Sequence, residues 1–109
     1  MERMGMVIGV RPEFIKRYKE LHSAAWPEIL QSLSDCNVTN YSIFLREPEN
    51  LLFGYWEYVG DDFDADIKKM ADLPITQDWW ELCMPCQKPL ETRKDGEWWA
   101  MMEEVFYHA

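Results

Sequence analysis

Residues Met4 to Val10 alternate: Met4, Met6, Ile8 and Val10 fall on one side, while the small Gly5 and Gly9 flank Val7 on the other. A period of two is the pattern of a half-buried strand. Arg11-Pro12-Glu13 then opens a helix, with proline near its first position and an acid in its first turn, where the helix dipole favours negative charge. The pattern carries this helix to about Ala25. Pro27 disfavours helical dihedrals at Trp26 and suits the first turn of a second helical segment, whose apolar face is Ile29, Leu30 and Leu33. Two runs rich in β-branched and aromatic residues follow, Val38 to Leu45 and Leu51 to Tyr58. Arg46-Glu47-Pro48-Glu49-Asn50 joins them with turn chemistry of hairpin length, which predicts an antiparallel hairpin. Gly60-Asp61-Asp62 caps a further helix through about Ala71, Pro74 ends it, and Thr76 to Leu82 is helical again. Gln87 to Gly96 is polar, contains Pro89 and reads as loop, and Met101 to Tyr107 alternates as a closing strand.

The resulting order is strand, helices, strand, strand, helices, strand. This is the β-α-β-β-α-β plan of an α+β, ferredoxin-like fold, in which helices cover one face of an antiparallel sheet. No repeat, low-complexity tract or Gly/Ser linker divides the chain, so residues 1–109 are expected to form one domain. Such a sheet leaves its other face open. With Trp 6, Tyr 5 and Phe 5 among 109 residues, that face is too rich in large aromatics to leave in water, and the expected solution is a homodimer.

Composition narrows the partners. Lys+Arg 11 against Asp+Glu 20 gives a net charge of -9, which repels nucleic-acid phosphates and acidic membrane surfaces. No stretch approaches the roughly 18 apolar residues of a membrane span, and the N-terminus lacks the apolar core of a secretory signal. The expected location is the cytoplasm, and the odd count of Cys 3 fits a reducing compartment. A folded chain of this mass should expose about 6,400 Å².

The candidate chemistry begins on the first helix. Phe14, Tyr18, His22 and Ala25 lie at spacings that form one inward stripe, with Leu21 beside it, so a phenol and an imidazole share that face. The same spacing also suits a satisfied core histidine and a snorkelling tyrosine. On the following strand, Tyr41 shares its face with Thr39, Ile43 and Leu45. Trp79 and Trp80 are neighbours on a helix and point about 100° apart, so both cannot bury on one face and one is expected to line a cleft. Indole and phenol rings that stack on the apolar face of a sugar would use this set well. Trp26, Trp56, Trp98 and Trp99 read as core or dimer filler.

Other motifs fail on spacing. Asp61, Asp62, Asp64 and Asp66 resemble the start of a calcium loop, but Ile67 and Leu73 occupy the positions that need Gly and Glu, so the cluster reads as a helix N-terminus. Cys83-Met84-Pro85-Cys86 lacks the second half of a zinc site and reads as structural. No G-x-S-x-G, Walker loop, G-x-G-x-x-G or H-E-x-x-H is present. What remains, an inward histidine, two inward tyrosines and a tryptophan pair, suits proton transfer on a neutral ligand.

The combination Tyr18-Lys19-Glu20-Leu21-His22-Ser23-Ala24-Ala25-Trp26-Pro27-Glu28, Asn40-Tyr41, Asn50-Leu51-Leu52-Phe53, Trp79-Trp80 and Glu104-Val105-Phe106-Tyr107 strongly resembles the L-rhamnose mutarotase family over nearly the whole chain. The resemblance implies a dimeric α+β barrel and the interconversion of the α and β anomers of a 6-deoxyhexose, with no metal or other cofactor. It matches the family's proton donor to His22 and its sugar-binding residues to Tyr18, Tyr41, Trp79 and Trp80. Two segments depart from the rhamnose enzymes: Gly60 to Asp78 is longer and more acidic, and Cys83 to Trp99 is unlike theirs. Relatives of this second type are associated with L-fucose, so L-fucose or another 6-deoxyhexose competes with L-rhamnose as substrate. Two more distant readings are a monooxygenase, because dimeric α+β barrels also host such sites, and a sugar-binding dimer without turnover.

Overall fold

The computed structural model describes residues 1–109. Strand β1 (Glu2–Val10) leads through a 3-10 turn at Pro12–Phe14 into α1 (Ile15–Ser23), followed by α2 (Pro27–Asp35). The hairpin strands are β2 (Val38–Arg46) and β3 (Leu51–Tyr58). Helices α3 (Phe63–Asp72) and α4 (Pro74–Cys83) come next, then a 3-10 turn at Met84–Cys86 and the short strands β4 (Gln87–Lys88) and β5 (Ala100–Met102). The sheet runs β2-β3-β1-β4, all antiparallel, with β5 also paired to β1. The α+β ferredoxin-like order expected from the sequence is therefore the observed one.

One face of this sheet packs on the helices. Met6, Ile8 and Val10 are buried there, with Leu52 opposite Ile8 on β3. Ile8, Val10 and Leu52 join Tyr18, Leu21, Ile29, Trp79, Cys83 and Cys86 in a single apolar cluster. Complete burial of a side chain such as Ile8 contributes about 1.5–3 kcal/mol. A second cluster, Cys36, Val38, Tyr58 and Met70, closes the other end of the sheet. There the Asp66 carboxylate accepts hydrogen bonds from Tyr58 and Asn37, which hold its pKa below the usual carboxylate range. The aspartate-rich stretch is a helix N-terminus: Asp62 caps α3 by accepting from the Ala65 backbone N–H at 3.1 Å.

Four expectations need correction. The first helix ends at Ser23 rather than Ala25, and Phe14 precedes it at φ -111°, 40% exposed, so the inward stripe loses Phe14 and keeps Tyr18, Leu21 and His22, while Ala25 packs on the core just beyond the helix. Thr39 does not share a face with Tyr41. Asn40 adopts φ 51°, a left-handed conformation that asparagine tolerates, and the register slips between Thr39 and Ser42. This bulge puts Tyr41 on the helix side together with Val38, and leaves Thr39 exposed.

Gln87 and Lys88 also differ from expectation. They are strand rather than loop, pairing with Val10 and Gly9 of β1. Gly9 permits that approach: a Cβ at this position would stand 2.6 Å from the Lys88 carbonyl oxygen. Gly9→Ala must therefore push β4 off β1, and is expected to cost about 1–3 kcal/mol in chemical denaturation. Fourth, the closing strand is only Ala100–Met102. Its partners on β1 are Val7 to Gly5, and the pairing stops at Met102 although β1 itself begins at Glu2. The tail is held by side chains instead: Arg3 forms a two-pronged ion pair with Glu104, at 2.8 and 3.2 Å, and lies 3.4 Å over the Tyr107 ring.

Candidate active site

Tyr18 and His22 are four residues apart on α1, so they stand one above the other on its inner face. Their rings stack with centroids 4.1 Å apart and planes at 26°. Trp79 reaches the same place from α4, meeting His22 edge-on at 5.4 Å and Trp26 at 5.1 Å. Tyr18 and Trp79 are almost fully buried, while His22 is half-buried and keeps the most exposure of the three. Trp26, expected to be core or dimer filler, does pack against the main cluster, and it supports the Trp79 indole there.

The electrostatics of His22 follow from one contact. Its Nδ1 lies 2.9 Å from the Tyr18 carbonyl oxygen, which can only accept a hydrogen bond. Nδ1 therefore carries hydrogen, and in the neutral ring Nε2 is the free base. Burial lowers the His22 pKa below its ordinary value, and the bond to the Tyr18 carbonyl opposes that shift only in part. The imidazole is thus neutral at pH 7.

The phenols have the opposite character. Burial raises the pKa of Tyr18, and raises that of Tyr41 to about 12. Each is a neutral hydroxyl with a hydrogen to donate. The two are close enough that charge on Tyr41 would further oppose ionisation of Tyr18. Tyr41 is held edge-on against Trp56 at 5.0 Å, the residue that its bulge faces on β3. Trp56 is thus a buttress for a candidate site residue. The buried Cys83 and Cys86 are free thiols, and burial pushes Cys83 up to about 12, so both serve as packing in this wall.

Trp80 stands apart. It is 38% exposed and lines an outer groove of about 650 Å³ with Gln77, Glu81, Met84, Pro85 and Trp98. The neighbouring indoles of α4 do point apart, one inward and one outward. Tyr18, His22 and Trp79 are brought into contact, Tyr41 lies within electrostatic range, and Trp80 faces outward.

Two residues escape a reading of the sequence. Gln87 is buried on β4, where its Nε2 donates to the Tyr18 hydroxyl at 3.2 Å and its Oε1 accepts from the Trp98 indole N–H at 2.7 Å. Its only sequence signal was a polar residue at the end of an apolar turn, and the pairing with β1 that buries it is long-range. Thr76, one turn before Trp79 on α4, is 2% exposed and its hydroxyl has no hydrogen-bond partner. A buried orphan of this kind costs about 1–3 kcal/mol unless a bound group satisfies it.

Comparison with known proteins agrees over the whole chain. The L-rhamnose mutarotase of Listeria monocytogenes serotype 4b is 34% identical over 109 residues, covering 100% of both chains. That of Oceanobacillus iheyensis is 36% identical over 88 residues, 81% of this chain and 82% of its own. The crystal structure of the L-rhamnose mutarotase FA22100 from Formosa agariphila superposes with a TM-score of 0.78 at 29% identity, covering 100% of both chains. The sequence profile described as L-rhamnose mutarotase matches residues 3–108, so the chain belongs to the L-rhamnose mutarotase family.

Proposed function

We propose that this protein is a mutarotase that interconverts the α and β anomers of a 6-deoxyhexose, with L-rhamnose as the first substrate and L-fucose as its competitor. The observation that carries this reading is His22: a neutral imidazole whose Nδ1 is engaged by the Tyr18 carbonyl, leaving Nε2 as base between a phenol and an indole. Nε2 accepts the proton of the anomeric hydroxyl. The electron pair of that O–H bond forms the aldehyde carbonyl as the bond from C1 to the ring oxygen breaks, and the imidazolium returns the proton to the ring oxygen. Rotation about C1–C2 and the reverse sequence close the other anomer. Tyr18 or Tyr41 orients the sugar and stabilises the developing charge by donating a hydrogen bond, since ionising either buried phenol is costly. Trp79 offers an apolar wall at the reacting face. Any contact of Trp80 with sugar would be made from the outer groove, apart from the Tyr18, His22 and Trp79 cluster.

Identity of the sugar is tested by exchange NMR on L-rhamnose, L-fucose and other pyranoses at equal concentration. The expected result is acceleration for at least one 6-deoxy sugar, and strongest for L-rhamnose. A larger effect on L-fucose would transfer the assignment to it, and binding without acceleration would defeat it.

The same reading includes a homodimer. The exposed surface is 7464 Å², about 1,100 Å² above the value expected for a compact monomer of this mass. That excess is similar to the surface each partner loses in an interface of ordinary size, about 800 Å². Phe44 on β2 is 65% exposed on the sheet face away from the helices, and Val105 and Phe106 of the tail are 87% and 80% exposed. In light scattering, the protein is expected at twice the mass of its chain and Phe44→Glu at the monomer mass. A monomeric parent protein would contradict this. No helix is long and apolar enough to cross a membrane, and the expected cytoplasmic location is consistent with that.

A further inference from the structure

A tyrosine hydroxyl can donate one hydrogen bond and also accept, so the role of Tyr18 toward a sugar depends on what already occupies it. The neighbour that decides this is Gln87. Glutamine amides are normally ambiguous, because oxygen and nitrogen can exchange places. Here the ambiguity is removed by Trp98, whose indole N–H is only a donor and lies 2.7 Å from Oε1. With Oε1 so engaged, Nε2 must face Tyr18, and it donates to the hydroxyl at 3.2 Å. The Tyr18 hydrogen then points away from Gln87. We propose that Gln87 is a positioning residue that fixes Tyr18 as a hydrogen-bond donor toward the sugar, with Trp98 locking the carboxamide in the orientation this requires.

This inference rests on the mutarotase reading and gives it a direction: His22 Nε2 accepts, and Tyr18 donates. It also gives a role to the segment between β4 and β5. That loop is held by Arg93 donating to the Leu90 carbonyl and by Glu97 accepting from the backbone N–H groups of Lys94 in the loop and Met101 on β5. It delivers Trp98 at its end to the buried amide. The long-range pairing of Gln87 with Val10 fixes the other end.

A double-mutant cycle tests the proposal. Gln87→Leu is expected to lower kcat about tenfold, with a smaller change in KM. In a Tyr18→Phe background the same substitution should have almost no further effect, because Gln87 acts through that hydroxyl. Gln87→Glu, assayed at a pH where the carboxyl is ionised, keeps an acceptor for Trp98 but turns an acceptor toward Tyr18, which recaptures the hydrogen, so it should lose more activity than Gln87→Leu. Multiplicative losses in the cycle, or Gln87→Glu equal to or better than Gln87→Leu, would overturn the proposal.

A second measurement does not depend on turnover. In ¹⁵N NMR spectra, Tyr18→Phe should move the Gln87 side-chain NH₂ resonances and Gln87→Leu should move the Trp98 indole N–H. Unmoved resonances would overturn the assigned hydrogen bonds. If the parent protein accelerates no anomer exchange, the mutarotase reading fails on its own, and the NMR result still decides the orientation of Gln87.

Discussion

His22→Gln is expected to lower kcat/KM for anomer exchange by about 10²- to 10⁴-fold, the range that a positioned general acid–base group supplies. That corresponds to about 3–5 kcal/mol of transition-state stabilisation. The fold should survive, because a glutamine amide can still reach the Tyr18 carbonyl and the site is only half-buried at this position. The pH profile provides a second mark of the same residue. Burial lowers the His22 pKa, so the acid limb of the profile should fall below the ordinary histidine value of 6.5. The linkage to stability has the same sign. The unfolded chain takes up a proton at His22 at a higher pH than the folded chain does. This contribution is therefore present above 6.5 and lost as pH falls through the folded pKa. Unchanged exchange in a folded His22→Gln protein would remove His22 from the mechanism.

Trp79→Ala is expected to unfold much of the molecule's margin, costing about 3–5 kcal/mol in denaturant titration. The indole is 7% exposed and belongs to the main apolar cluster, with His22 and Trp26 against it. Trp79→Phe separates the two roles of the residue. It keeps an aromatic wall and most of the packing, so its stability loss should be clearly smaller. Sugar binding should weaken through the loss of indole area. By contrast Trp80→Phe, on the outer groove, should leave stability within about 0.5 kcal/mol of the parent. If the two tryptophans proved equally sensitive to alanine in stability, their inward and outward assignment would be wrong.

The parts of this molecule that sequence patterning exposes are those set by local periodicity. The alternation of Met4, Met6, Ile8 and Val10 is the buried face of β1, and the four-residue spacing of Tyr18 and His22 is an actual stack on α1. The approximate 100° offset of adjacent helical positions correctly separates Trp79 from Trp80. What periodicity misses is geometry set by a partner distant in the chain. The bulge at Asn40 has no signature in an otherwise regular alternation, yet it decides that Val38 rather than Thr39 accompanies Tyr41. Gln87 looked like the first residue of a polar loop. Its burial comes from pairing with β1, which Gly9 makes room for. The tail alternates like a strand, but its pairing with β1 ends at Met102, and an Arg3–Glu104 ion pair holds the residues beyond it.

The most direct measurement is two-dimensional exchange NMR of L-rhamnose with a catalytic trace of the protein at pH 7. Cross-peaks between the α and β anomeric protons are expected to grow in proportion to protein concentration, and to fall to the buffer rate when His22→Gln replaces the parent. Cross-peaks that stay at the buffer rate with the parent protein, across the 6-deoxy sugars, would contradict the mutarotase reading.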